Sequence, residues 1–177
     1  MCFIKPQKAM ATIDALAREF LAQPRLAVVG VSRTREDAAN LIYRKLRDTG
    51  HQVYPVNPNT DTFDDAPCYP ELTALPEPVD GVVIVTKPAR AKAVVQQCID
   101  LKIPRVWMHC SLGVHPPKMA RNLAAKITSV SEEAAQLGRD NGLTVIAGAC
   151  PMMFCDPVDF GHKCMRGTLR LFGSLAA

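Results

Sequence analysis

The sequence predicts an α/β fold in which a doubly wound parallel sheet of about five strands lies between two layers of helices. Short, almost continuous apolar segments such as Leu26–Val31 and Val79–Thr86 are typical of strands buried on both faces. Segments with helical periodicity separate these strands, and right-handed crossovers then make the sheet Rossmann-like. In such a three-layer α/β/α sandwich, ligands bind beyond the carboxyl ends of the strands.

Hydrophobic periodicity and turn residues define the individual elements. Strands are expected at Leu26–Val31, His51–Val56, Val79–Thr86, Pro104–His109 and Leu143–Ala147. Helices are expected over residues 7–22, 38–48, 88–101, 129–141 and 159–172. The second helix is predicted to face inward with Leu41, Ile42 and Leu46, and the last with Met165, Leu169 and Phe172. Residues 60–78 read as a loop with one helical turn near Pro70–Leu75.

The organisation that follows is one domain with short terminal additions. Residues 1–24 are predicted to be an N-terminal helical extension, residues 25–150 the Rossmann-like domain, and residues 151–177 a C-terminal helical tail packed on that domain. Gly50, directly after the second predicted helix, occupies the position of a C-terminal cap. Cys98, within the third predicted helix, is expected to be a small buried apolar group.

Composition and charge narrow the classes of function. The net charge of +4 comes from scattered basic residues and aromatic residues make up 6%, which argues against a nucleic-acid binder. No apolar segment approaches the roughly 20 residues that span a bilayer. The first ten residues are too polar for a secretory signal, so we expect a cytoplasmic protein without a membrane partner. The odd number of cysteines, 7, argues against a disulfide framework.

Two strand ends carry residues suited to a phosphate. After the first strand, Gly30 allows a tight turn, Ser32 offers a hydroxyl donor, and Arg33 and Arg35 add positive charge. The third strand ends in Thr86, Lys87 and Pro88, which bring a hydroxyl, an ammonium and a helix-starting proline together. A helix dipole disfavours a cation at that point unless an anion lies near it.

The second strand end argues against NAD. An NAD site usually places Asp or Glu there for the ribose 2′-hydroxyl, whereas this chain has Asn57-Pro58. Only one glycine of the dinucleotide fingerprint is present, at Gly30. NADP remains an alternative, because Arg33 could meet its 2′-phosphate.

Four motifs in order carry a resemblance to a known family: VVGVSR, NLIYRKLRDTGHQVYPVNPN, PEPVDGVVIVTKP and GACPMMF. They resemble the stand-alone coenzyme A-binding domains, which are similar to the N-terminal nucleotide-binding domain of the succinyl-CoA synthetase alpha subunit. The resemblance covers about residues 25–177 and implies that CoA lies across the strand tips. It implies ligand contacts at Gly30, Val31, Ser32, Arg33, Asn57, Pro58, Thr86, Lys87 and Pro88.

The same resemblance implies binding without a reaction. Acyl-CoA synthetases of that superfamily also need a phosphorylatable histidine domain and an ATP-grasp partner, and 177 residues leave room for neither. Nothing marks His109 or His115, near the fourth strand tip, as a phosphohistidine. We therefore expect a CoA- or acyl-CoA-binding protein without its own catalytic machinery, which senses acyl-CoA or docks on a partner enzyme. Its apolar N-terminal helix and tail favour a homodimer.

The segment near the C-terminus leaves three alternatives open. Cys150, Cys155, His162 and Cys164 form the pattern C-x4-C-x6-H-x-C, whose soft ligands suit zinc or iron. The pattern has no C-x2-C pair, and a helix there would place His162 and Cys164 on different faces. Cys150 lies at the fifth strand tip, where a thiol of lowered pKa could act on acyl-CoA, and the alternative is an inert buried cysteine.

Overall fold

The computed structural model describes residues 12–116, 119, 122–123 and 127–175. Its helices are α1 (Ile13–Leu21), α2 (Ala38–Asp48), α3 (Pro88–Asp100), α4 (Glu132–Asp140) and α5 (Phe160–Leu171). Its strands are β1 (Arg25–Val29), β2 (Gln52–Val56), β3 (Thr62–Phe63), β4 (Ala66–Pro67), β5 (Gly81–Ile84), β6 (Arg105–Met108) and β7 (Thr144–Ala147). No helix in these ranges is long and apolar enough to cross a membrane.

The main sheet has five parallel strands in the order β2-β1-β5-β6-β7. This order confirms the predicted doubly wound, Rossmann-like α/β fold. The chain moves outward from β1 to β2 and then returns to the other side of β1 to form β5. The switch in strand order therefore lies between β1 and β5, and their carboxyl ends form the crevice where ligands bind in this class of sheet.

Helices cover both faces of the sheet, so each strand contributes to two apolar cores. On one face, Phe20 of α1 packs edge-on against the fully buried Trp107 of β6, at 5.4 Å between ring centroids. On the other face, α3 and α4 cover Val82 and Val106, and Cys98 is fully buried there, as expected of a small apolar group. Leu169 of α5 joins the first core, which brings the tail against the same sheet.

Three details differ from the sequence-based expectations. Leu41 is 47% exposed, because α2 turns it to solvent while Ile42 and Leu46 face the core. Phe172 is 67% exposed, because α5 ends at Leu171 and Phe172 only caps it. Part of the predicted loop over 60–78 is a short antiparallel hairpin of β3 and β4.

Other local expectations agree with the structure. Leu72–Ala74 forms the single helical turn predicted near Pro70–Leu75. Gly50 has a φ of +95°, as the residue after a helix C-cap requires. The first helix begins at Ile13, because the Thr12 side chain caps it, and residues 7–11 of its predicted range lie outside the described residues.

Candidate functional site

Gly30 shapes the first strand tip. Its φ is +114°, and its amide donates to the Val56 carbonyl at 2.9 Å, which joins the β1 tip to the β2 tip. A Cβ atom built on Gly30 would lie 2.2 Å from the Val85 carbonyl oxygen. The Gly30 backbone thus packs closely against the Val85 carbonyl just beyond β5, and only glycine fits both the space and the dihedral angle.

Asn40 of α2 holds the loop that follows Gly30, although no sequence motif singles it out. Its side chain is buried, at 1% exposure. Its Oδ1 accepts the Ser32 amide at 2.8 Å, and its Nδ2 donates to the carbonyls of Ser32 at 2.8 Å and Arg35 at 2.9 Å. A polar side chain on the inward face of an amphipathic helix was the available signal, because a buried amide needs partners.

Asn57 ties the second strand tip to the same loop. Its side-chain amide donates to the Val31 carbonyl, and its Oδ1 accepts the Asn59 amide at 2.9 Å. Pro58 is exposed beside it. The structure therefore brings Gly30, Val31, Ser32 and Asn57 into one bonded unit at the tips of β1 and β2.

The helix N-termini at this edge differ in one respect. The side chains of Thr12, Asp37, Ser131 and Asp159 cap α1, α2, α4 and α5, respectively. Among the five α-helices α1 to α5, α3 alone has no side-chain hydrogen bond at its N-cap, and its N-cap residue is Lys87, followed by Pro88. The open helix terminus of the crevice is therefore that of α3. The α2 terminus after Gly30 is closed, because the Asp37 carboxylate already accepts the Ala39 amide at 3.1 Å.

Positive charge at this edge is unevenly neutralised. Arg44 is bound by Glu36 and by Asp64, and this ion pair lowers the pKa of the Asp64 carboxyl. Arg33 and Lys87 are exposed and form no ion pair with any residue in the described ranges. A polar cavity of about 370 Å³ adjoins the loop and is lined by Ser32, Arg33, Thr34, Arg35, Glu36, Asn40, Arg44, Phe63 and Asp64.

The tips of β6 and β7 have a different character. Cys150 follows β7 and is 4% exposed, and this burial raises the pKa of its thiol to about 12. Its Sγ lies 4.0 Å from Nε2 of His162, whose Nδ1 lies 2.6 Å from Oδ2 of Asp159. The thiol pKa is therefore raised, whereas the sequence analysis required a lowered one for a reactive thiolate.

The cysteine and histidine pattern does not assemble as a metal site in the part of the chain that the structure describes, where no group of three His, Cys, Asp or Glu side chains could hold a metal. Cys164 is exposed on α5. Cys155 instead places its Sγ 3.3 Å from the Thr49 hydroxyl. Helical geometry separates Cys164 from His162, as the sequence analysis expected.

His109 follows β6 and is 3% exposed. Its Nε2 lies 3.2 Å from the Ser111 hydroxyl, and its buried Nδ1 has no hydrogen-bond partner within the described residues. Burial, together with the nearby charge of His162, lowers the pKa of His109 to about 4. His109 is therefore neutral at pH 7, while His115 is exposed on the following loop.

Comparison with known proteins adds independent evidence. The Bacillus subtilis protein YneT is 25% identical over 126 residues, which are 71% of this chain and 81% of that protein. Acetate–CoA ligase [ADP-forming] I of Archaeoglobus fulgidus is 35% identical over 73 residues, and the match spans 41% of this chain but only 11% of the ligase.

A hypothetical protein from Pyrococcus horikoshii OT3 has a solved structure with a TM-score of 0.68 and 25% identity, covering 86% of this chain and 99% of that one. The profile of a family described as a CoA binding domain matches residues 24–156. Because that match spans most of the sequence, the chain belongs to the CoA binding domain family.

Proposed function

We propose that the chain binds coenzyme A or an acyl-CoA across its strand tips, with the phosphates between the Gly30 loop and the start of α3. The observation that carries this proposal is Lys87, a cation at the uncapped N-terminus of α3 that has no ion-pair partner among the described residues. A cation there is disfavoured by the helix dipole by about 0.3–1 kcal/mol. A bound phosphate makes the position of Lys87 favourable, because the phosphate interacts with both the ammonium and the free amides of the helix.

The other contacts are proposed from their position around Lys87. Thr86 supplies a hydroxyl just beyond β5, and the Gly30 backbone packs against the neighbouring Val85 carbonyl. Ser32 and Arg33 stand on the loop that Asn40 holds. Val31, Asn57, Pro58 and Pro88 complete the proposed contact surface through backbone and side-chain packing.

The adenosine end of CoA is proposed to lie at the polar cavity beside this loop. Its volume, about 370 Å³, falls in the usual range for ligand pockets. Arg33 and Arg35 border it and are exposed, so they can meet the 3′-phosphate. The relative named as an acetate–CoA ligase supports CoA chemistry at this domain, although the match covers a small part of that enzyme.

Calorimetric titration with CoA, acetyl-CoA, NAD and NADP tests the proposal. We expect CoA or acetyl-CoA to bind more tightly than either dinucleotide. Lys87→Ala is expected to weaken CoA binding about tenfold or more, which corresponds to roughly 1.4 kcal/mol. Lys92→Ala is the matched control, because Lys92 lies on the same helix but pairs with Glu133. Tighter NADP binding, or equal losses in both variants, would contradict the assignment.

A homodimer is the proposed assembly. Phe160, Leu171 and Phe172 expose large apolar side chains on and beside α5, at 82%, 84% and 67%. Leu171 and Phe172 are neighbours at the end of α5, and large exposed apolar side chains are candidates for protein contact. Light scattering of the purified chain distinguishes a dimer from a monomer. A monomer at all concentrations would contradict the homodimer and favour a partner enzyme as the protein that covers these side chains.

A further inference from the structure

Asp159 and His162 form a local unit that fixes the tautomer of an imidazole. Asp159 is the N-cap of α5, and its Oδ1 accepts the His162 amide at 3.0 Å. Its other oxygen lies 2.6 Å from Nδ1 of the same residue. A carboxylate only accepts hydrogen bonds, so Nδ1 carries the proton. In the neutral ring Nε2 is therefore a free base.

That free base faces the Cys150 thiol. Nε2 of His162 and Sγ of Cys150 are 4.0 Å apart. Burial raises the pKa of this thiol to about 12, so the sulfur needs a base that takes its proton before it can attack. A thiol, an imidazole and a carboxylate thus stand in series, which is the order used for nucleophilic acyl transfer.

The thiol also lies on the side of the sheet edge where the reactive end of CoA would reach. Cys150 follows β7, which is two strands from β5, and strands are spaced by about 4.8 Å, so the tips lie roughly 10 Å apart. His109 and Cys110 follow the intervening strand β6, and Cys110 donates its amide to the Ala149 carbonyl. Phosphates held at Lys87 would leave the pantetheine arm to run across β6 toward this thiol.

We infer that Cys150 is an acyl acceptor for CoA thioesters, with His162 as its general base and Asp159 as the residue that positions His162. The Cys150 sulfur attacks the thioester carbonyl while its proton passes to Nε2 of His162. A new carbon–sulfur bond forms to Cys150, and the carbon–sulfur bond to CoA breaks. The proton then passes to the departing CoA thiolate, so the products are S-acyl-Cys150 and free CoA thiol.

The inference rests on the proposed function, and the test separates the two. The chain is incubated with acetyl-CoA and, separately, with the acetyl thioester of N-acetylcysteamine, which has the reactive end of acetyl-CoA but no nucleotide. Peptide mass spectrometry locates the acetyl group, and a thiol reagent measures the released thiol. The variants are Cys150→Ala and His162→Gln. Cys164→Ser is the control, because Cys164 is an exposed cysteine on α5, the helix that carries His162.

The expected result is one acetyl group on Cys150 from both thioesters, with faster transfer from acetyl-CoA. His162→Gln is expected to slow transfer about 100-fold or more while leaving CoA affinity unchanged. Cys164→Ser is expected to have no effect. Transfer from the small thioester alone would retain the thiol chemistry and contradict CoA binding. Binding of CoA without any acetyl-Cys150, or acetylation only at Cys164, would overturn the inference.

Discussion

The two halves of the strand-tip edge are built in opposite ways. At β1, β2 and β5 the tips are polar, with Arg33 and Lys87 exposed. At β6 and β7 the tips are buried, with Cys150 at 4% and His109 at 3% exposure, and both groups are neutral at pH 7. One half is suited to hold charge at the surface, while the other keeps a thiol and an imidazole away from water.

This difference matches the chemistry of the proposed ligand. Coenzyme A is polyanionic at its nucleotide end and carries a neutral thiol or thioester at the other. A parallel sheet places all its tips on one edge, so a single extended ligand can meet both environments. The contrast places the proposed binding and the proposed reactivity on separate strands, so each can be removed without the other.

The largest effect is expected from Gly30→Ala in the polar half. The new Cβ would lie 2.2 Å from the Val85 carbonyl oxygen, at a φ of +114°. We expect the free energy of unfolding to fall by about 4 kcal/mol, in the range of severe backbone conflicts. Gly50→Ala is the control, because its φ is +95° but no atom lies within 4 Å. That control should lose only about 1 kcal/mol in urea unfolding.

The buried half is expected to show a pH-dependent stability that comes from His109. Burial lowers its pKa from 6.5 to about 4, so between these values the unfolded chain binds a proton that the folded chain does not. The contribution of neutral His109 to the free energy of unfolding is therefore fully present above pH 6.5. It is lost as the pH falls toward 4, by up to about 3 kcal/mol. When urea unfolding is measured across this pH range, the free energy of unfolding should depend less on pH in His109→Phe than in the wild-type chain. An unchanged slope would show that His109 does not titrate in this way.

Asn40→Ala tests whether the loop must be held before it can bind. It removes three hydrogen bonds to the backbone of Ser32 and Arg35. We expect a loss of about 2 kcal/mol in stability together with weaker CoA binding. Asn141→Ala removes one exposed side-chain bond on α4 and should change neither quantity. Unaltered CoA affinity in the Asn40 variant would separate the loop from the ligand.

Lys87→Ser separates stability from binding most directly. Serine is a favoured N-cap residue, so it should bond the first turn of α3 and stabilise the fold by about 1 kcal/mol. The same change removes the proposed phosphate contact, so CoA affinity should fall. Thermal unfolding and calorimetry measure the two quantities. If CoA binding weakens but stability does not rise, the serine side chain does not stabilise the first turn of α3.

Periodicity in the sequence was sufficient for the sheet and helices, because strands buried on both faces are continuous apolar segments such as that around Val83. It failed at Leu41, which lies at the margin of an amphipathic stripe, and at Phe172, which lies just beyond the last turn of α5. The β3–β4 hairpin was missed because two-residue strands have no detectable period.

The candidate site was predictable only in part. Gly30 follows β1 directly and Lys87 lies three residues beyond β5, so a general rule for parallel sheets identifies both. Asn40 and Asp159 were not singled out, because their roles depend on contacts within the folded loop and helix cap. The distance between Cys150 and His162 is likewise a product of how α5 returns to the β7 tip, which spacing along the chain does not reveal.

The most direct measurement is a crystal structure of the chain with CoA bound. The account predicts the pyrophosphate between Lys87 and the loop at Ser32, and the sulfur of CoA on the β6 and β7 side, nearer to Cys150 than to Asn57. A nucleotide bound away from the β1 and β5 tips, or a pantetheine arm that runs toward β2, would contradict it.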